Sequence, residues 1–200
     1  MPVIKGMMVD KDGDGVKEAL VCLKGKRFEN LYTTMTNEFG EYEMEITAGD
    51  YPYLMSVKEY GTQCLEFWCQ DLVIDEELII NGVIDQLEIY GLKVFKVDGA
   101  YPALMVYFRP MSLQRVLECE ENIAPEVASI EIKVNKEELT VYVVNEVEEF
   151  IGEGETLRAY LMHVSMPRAG LKDDLNYLSL KIQDVEEHIG VAGTFFSFHK

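Results

Sequence analysis

Three kinds of residue in this chain have types and spacings that chemistry can use: a run of aspartates, two aromatic clusters, and scattered glutamates and histidines. Asp10-Lys11-Asp12-Gly13-Asp14-Gly15 sets carboxylates at the first, third and fifth positions of a calcium-loop pattern. Such a loop needs a bidentate Glu at its twelfth position, which here is Val21, inside an apolar run. The stretch therefore reads as a turn built from residues that tolerate positive φ, and Asp10, Asp12 and Asp14 remain the candidate metal ligands. Trp68 beside Phe67, and the cluster Phe195-Phe196-Phe198, are candidate sugar platforms. Aromatic residues at strand spacing more often pack a core or a domain junction. Alternation puts Phe196 and Phe198 on one face and Phe195 on the other.

Paired carboxylates serve glycosidases. Glu118, Glu120 and Glu121, and Glu146, Glu148 and Glu149, are such runs, but in a chain with 36 acidic residues they read as solvated faces. His163, His188 and His199 have no partner at metal-ligand spacing. No Gly-x-Ser-x-Gly elbow, phosphate loop or dinucleotide fingerprint is present. No catalytic residue and no cofactor is expected. Of the four cysteines, Cys64 and Cys69 fall in one strand-like run. A regular strand would hold them roughly 16 Å apart, while a disulfide needs Cα atoms within about 7 Å. With Cys22 and Cys119, they read as four free thiols.

The charge balance narrows the partners. Asp and Glu number 36 against 18 Lys and Arg, a formal net charge of −18, spread over both halves of the chain. A field of that sign repels phosphate backbones and anionic lipid surfaces, so neither nucleic acid nor a membrane is expected. No apolar run approaches the roughly 20 residues of a spanning helix. Met1-Pro2-Val3-Ile4-Lys5-Gly6 lacks the basic and apolar blocks of a signal peptide, which makes the cytoplasm the expected compartment.

The elements that must position these residues are strands. Tyr42, Met44 and Ile46 alternate with Glu41, Glu43 and Glu45, and Ile130-Glu131-Ile132-Lys133-Val134 alternates as strictly. Turn signals recur every 8 to 12 residues, which predicts a sandwich or barrel. One strand is expected over Glu77–Ile84. Another is expected over Ala103–Phe108, ended by Arg109-Pro110. A hairpin is expected to turn at 135–138 and return over Leu139–Val144. A short helix fits Ser112–Cys119. Asp85-Gln86 is the least apolar point between two strand-like segments, so the chain divides there into residues 1–86 and 87–200, with no flexible linker. The expected fold is all-β, as two antiparallel sandwiches. Seven or so strands in residues 87–200 match an immunoglobulin-like domain in number and spacing.

In the first half, Gly6 and Val9, then Asp10-Lys11-Asp12-Gly13, then Gly15-Val16 before Ala19-Leu20-Val21 follow one another in a familiar order. Thr36-Asn37-Glu38-Phe39-Gly40-Glu41-Tyr42, Ala48-Gly49-Asp50-Tyr51 and Val57-Lys58-Glu59-Tyr60-Gly61 continue it. In this, residues 3–62 resemble the carboxypeptidase regulatory-like domain, a transthyretin-like (prealbumin-like) sandwich. Gly40 and Gly49 stand where its tight turns favour positive φ. The resemblance implies an accessory module that braces a neighbour or binds a protein or glycan, and it brings no catalytic residues. Adhesin domains of similar topology join Lys to Asn by isopeptide bonds, and Lys5 and Asn81 are the matching pair here. They lack the acidic residue such bonds need, since Tyr53-Leu54-Met55-Ser56-Val57 has none. Phage tail-fibre domains are similar across Gly40–Tyr53. The functional expectation is a non-enzymatic binding or scaffold module with a protein or glycan partner. The alternatives are a carbohydrate-binding protein and a structural subunit of a phage tail or similar assembly.

Overall fold

Side-chain alternation decides which face each strand buries. Tyr42, Met44 and Ile46 are buried while Glu41, Glu43 and Glu45 face solvent. The computed structural model describes residues 1–99, 101–152 and 154–198. The strands of the first half are β1 (Val3–Val9), β2 (Leu20–Lys24), β3 (Asn30–Met35), β4 (Glu41–Glu45), β5 (Gly49–Val57), β6 (Phe67–Ile74), β7 (Leu78–Ile79) and β8 (Gly82–Val83). The second half holds β9 (Leu87–Phe95), β10 (Ala103–Ser112), the helix α1 (Leu113–Leu117), β11 (Val127–Val134), β12 (Glu137–Glu138), β13 (Val141–Gly152), β14 (Glu155–Ser165), β15 (Asn176–Asp184) and β16 (Ile189–Phe196). The protein is all-β, with one short helix where the sequence predicts it. No helix among the described residues is long and apolar enough to cross a membrane.

Three sheets make two layered cores. A small sheet ordered β4-β1-β7, with β8 also on β1, covers one end of an eight-stranded sheet ordered β12-β11-β15-β16-β6-β5-β2-β3. A four-stranded sheet ordered β13-β14-β10-β9 covers the other end. In the second half, leaving aside the two-residue β12, this places first, second, fifth and fourth strands over a layer of third, sixth and seventh. One buried cluster runs from Ile4 to Ile84 and the other from Leu87 to Ala192, while Tyr177, Val191 and Phe195 of the second half pack on the first. The halves nonetheless share a sheet. β6 pairs with β16 in parallel, Trp68 opposite Ala192 and Gln70 opposite Thr194. Asp85 Oδ2 accepts from the Ile189 amide at 2.8 Å, and the Gln86 carbonyl from the Leu113 amide at 2.9 Å.

Several sequence expectations change. First, pairing is not wholly antiparallel, because β1–β7, β1–β8 and β6–β16 run parallel. Second, the expected strand Glu77–Ile84 breaks into β7 and β8 at Ile80-Asn81. A Cβ on Gly6 would lie 1.8 Å from the Ile80 carbonyl oxygen, so the two backbones meet where only glycine fits, and Asn81 Oδ1 takes the Met7 amide at 2.9 Å. Third, β10 runs through Arg109-Pro110 to Ser112. Its pairing with β14 ends at Phe108, so proline forfeits no ladder bond on that side. Fourth, the turn at Asn135-Lys136 joins β11 only to the two-residue β12. Leu139 is buried, and from Val141 the chain crosses to the opposite layer to pair with β14. Gly49, expected in a turn with positive φ, instead opens β5 opposite Ile74. Gly40 does adopt φ +78.

Candidate functional site

Where the shared sheet meets the edge of the four-stranded layer, outward-facing residues of both halves line a groove of about 590 Å³. One wall comes from the first half. In β6, Phe67 and Cys69 point into the core, which turns Trp68 and Gln70 outward. Tyr53 lies beside them on β5, which pairs with β6. The turn between β2 and β3 closes with Gly25 N donating to the Glu29 carbonyl at 2.9 Å, and it lays Phe28 on Tyr53. Their centroids are 4.8 Å apart and stacked, and Trp68 meets Tyr53 edge-on at 5.9 Å.

The opposite wall depends on a bulge. Tyr107 pairs with Lys93 and Arg109 with Tyr90, so Gly91 and Leu92 together face a single residue of β10. Gly91 takes φ +63. The extra residue reverses the alternation: Leu92 goes into the core, and Tyr90 and Lys93 both face the groove. Arg109 stacks its guanidinium 4.3 Å from the Tyr90 centroid. Its Nη1 lies 3.2 Å from Glu149 Oε2, a carboxylate that also accepts from the Tyr107 hydroxyl. Arg109 Nε is buried without a hydrogen-bond partner. Lys93 makes no ion pair among the described residues.

Glu88 ties the walls together. Only 5% of it is exposed. Its Oε1 accepts from Trp68 Nε1 at 3.0 Å and its Oε2 from the Glu66 amide at 3.3 Å. Those bonds favour the charged form, but burial outweighs them and, with the neighbouring Glu66 carboxylate, holds the Glu88 carboxyl at about 7. Glu66 itself is pushed up by burial. The arrangement offers an apolar wall of three rings set at an angle to one another, amide, ammonium and guanidinium donors, and a carboxyl acceptor along one seam.

The sequence-derived candidates end in different places. Asp10 Oδ1 accepts the Asp12 and Asp14 amides, both at 2.9 Å, so it caps its own turn. Among the described residues no three acidic, histidine or cysteine side chains gather as a metal site requires. Asp10, Asp12 and Asp14 lie in this turn. Lys5 Nζ is 2.8 Å from Glu77, and Asn81 Oδ1 is occupied by the Met7 amide, so the isopeptide pair is not assembled. Trp68 lies in the groove, whereas Phe67 is wholly buried. Phe195 packs on Tyr177 at 4.7 Å and joins the first core, while Phe196 and Phe198 join the second, as alternation predicts. His188 Nδ1 lies 3.3 Å from the buried Asp184 in the β15–β16 turn. His163 borders a shallow apolar patch with Tyr101 and Tyr142, and His199 lies outside the described residues. Glu120 pairs with Arg115, and Glu146 with Arg158, at strand and helix surfaces. Cys22 and Cys69 are buried, Cys119 is exposed, and Cys64 precedes β6 rather than lying in it.

Sequence reading misses Phe28, Tyr53, Glu88, Tyr90, Lys93 and Arg109 as a group. One signal was available. Leu87 and Ile89 share a parity that Leu92 and Val94 break, and a glycine inside a strand pattern marks a bulge.

Several solved bacterial structures match the chain at low identity and low TM-score. A putative carbohydrate binding protein from Bacteroides uniformis shares 14% identity, covering 99% of this chain and all of that one, with a TM-score of 0.36. A DUF3823 family protein from Bacteroides ovatus shares 10%, covering 98% and 96%, at 0.34. BcpA, the major pilin subunit of Bacillus cereus, shares 12%, covering 96% of this chain and 67% of its own, at 0.33. No family model matches the chain, and no curated protein matches it in sequence.

Proposed function

We propose that the chain is a non-catalytic binding module that holds a glycan in the groove between its halves. One observation carries the reading. Three touching aromatic rings, Phe28, Tyr53 and Trp68, form one wall and face Glu88, Lys93 and Arg109 on the other. A pyranose ring presents an apolar face of C–H groups that an aromatic plane desolvates. Its hydroxyls are met by amide and charged side chains with fixed geometry. The groove is open along its length, which suits a chain lying across it better than a small molecule enclosed by it. Residues 3–62, read as a carboxypeptidase regulatory-like module, supply Phe28 and Tyr53 of the aromatic wall, in keeping with the accessory role which that resemblance implies.

Trp68 is the only tryptophan of the chain, so its fluorescence reports on this groove alone. Oligosaccharides selected on a glycan array are titrated while Trp68 emission is followed. A saturable shift is expected, weakened at least tenfold by Tyr53→Ala, which removes a platform ring from a partly exposed position. Binding that leaves Trp68 emission and the Tyr53→Ala affinity unchanged, or no binding across the array, overturns the proposal.

A further inference from the structure

We infer, resting on the glycan reading above, that the ligand is an acidic glycan whose sugar carboxylate is held by Arg109 and Lys93. The chain carries a net charge of −18, yet two of its 18 basic side chains stand together on one wall of this groove. At physiological salt, charges more than about 8 Å away are largely screened, so a bound group feels its immediate neighbours more than the net charge. The immediate carboxylates are already engaged. Glu149 is held by Arg109 Nη1 and the Tyr107 hydroxyl. Both oxygens of Glu88 accept N–H groups from the opposite wall.

The cations keep unused capacity. Lys93 is exposed and has no ion-pair partner among the described residues. Arg109 uses Nη1 on Glu149 and its face on Tyr90, while its Nε has no partner. Nε and Nη2 form the side-on edge through which a guanidinium grips a carboxylate with two parallel bonds. That edge lies against Gly91: a Cβ there would sit 3.3 Å from Nε and 3.4 Å from Nη2. The bulge glycine puts no side chain against that edge. A buried unpartnered N–H is costly, and a ligand oxygen would satisfy it. A uronic acid presents the required shape, a ring face for one ring of the aromatic wall and a carboxylate at its rim for Arg109 and Lys93.

The experiment uses the full chain with oligogalacturonate, alginate and hyaluronan oligosaccharides, each beside its carboxyl-reduced form, followed by Trp68 fluorescence and calorimetry. Reduction keeps the ring and removes the charge. At least one acidic oligosaccharide is expected to bind tenfold or more tightly than its reduced counterpart. Lys93→Gln is expected to weaken the acidic form about fivefold and the reduced form less than twofold. Arg109→Lys keeps the charge without the two-pronged edge, and a loss of at least fivefold is expected for the acidic form. Equal binding of acidic and reduced forms, or binding of neutral array glycans alone, overturns the acidic-ligand inference and leaves the glycan reading standing. Binding by no oligosaccharide of either kind overturns both.

Discussion

Glu88→Gln tests the electrostatics of the groove without requiring the ligand. The Glu88 carboxyl is held at about 7 against an ordinary value of 4.5, through burial first and the neighbouring Glu66 second. A raised carboxyl pKa means that the fold favours the protonated form. The stability attached to it is whole below 4.5 and is lost as pH rises through about 7. At 1.36 kcal/mol per tenfold, the ionised group costs the fold about 3 kcal/mol at pH 8.5 and under ~1 kcal/mol at pH 5. Glutamine removes that dependence. It still accepts from Trp68 Nε1 but turns an amide toward the Glu66 N–H, losing the longer bond, worth about 1 kcal/mol. The variant should therefore be about 2 kcal/mol more stable than the parent at pH 8.5 and no more stable than it at pH 5. Urea unfolding at both pH values, read by Trp68 fluorescence, measures the difference. A stability difference that stays constant within about 0.5 kcal/mol across this range would refute the burial argument.

Gly91→Ala forces a side chain into φ +63 and against Arg109, and should cost about 1–2 kcal/mol by urea unfolding while lowering ligand affinity. Gly6→Ala should be far more damaging, because its Cβ overlaps the Ile80 carbonyl; loss of the cooperative transition, or of soluble protein, is expected, and a near-parental midpoint would contradict the close approach of β1 to Ile80. Thiol titration should find Cys119 reacting promptly and Cys22 and Cys69 only after unfolding, since burial both hides these two and pushes their thiols up, with four thiols counted in denaturant. Limited proteolysis should spare residues 80–95, where Asp85 and Gln86 are bonded to Ile189 and Leu113; ready cleavage there would show a mobile junction.

Local order was legible because it is written locally. The alternation of Tyr42, Met44 and Ile46 with three glutamates, and of Ile130, Ile132 and Val134 with polar neighbours, follows from which face meets the core. The short helix after Ser112 is capped by that residue, whose side chain accepts from Arg115 N. Strands whose two faces are both partly exposed were not legible in this way. β13 runs twelve residues with Glu146, Glu148 and Glu149 along it, and it reads as a charge run because the opposite layer does not cover it. Its place is set by pairing with β14, from Val141 opposite Val164 to Gly152 opposite Glu155, and pairing leaves no mark in hydropathy.

The groove was illegible for a further reason. Each wall looks structural by itself: Trp68 is one aromatic in an apolar run, Arg109 precedes a proline, and Gly91 interrupts a strand. They become a site only when β6 and β16 pair in parallel across more than a hundred residues of sequence, bringing β9 alongside β6. The pairing surfaces of the two strands are backbone, and the residues that fit them together are small. Ala192 and Gly193 lie opposite Trp68 and Cys69, and a Cβ on Gly193 would lie 2.3 Å from the Tyr177 hydroxyl. A pair of small residues in a strand is weak information in sequence, yet here Gly193 leaves room for the Tyr177 ring beside it. The seam then does two things at once. It joins the halves in one continuous sheet, and it leaves their outward side chains facing each other across a space lined by both. A ligand that fills this space binds both halves, so its binding should raise the unfolding midpoint of the whole chain rather than that of one half.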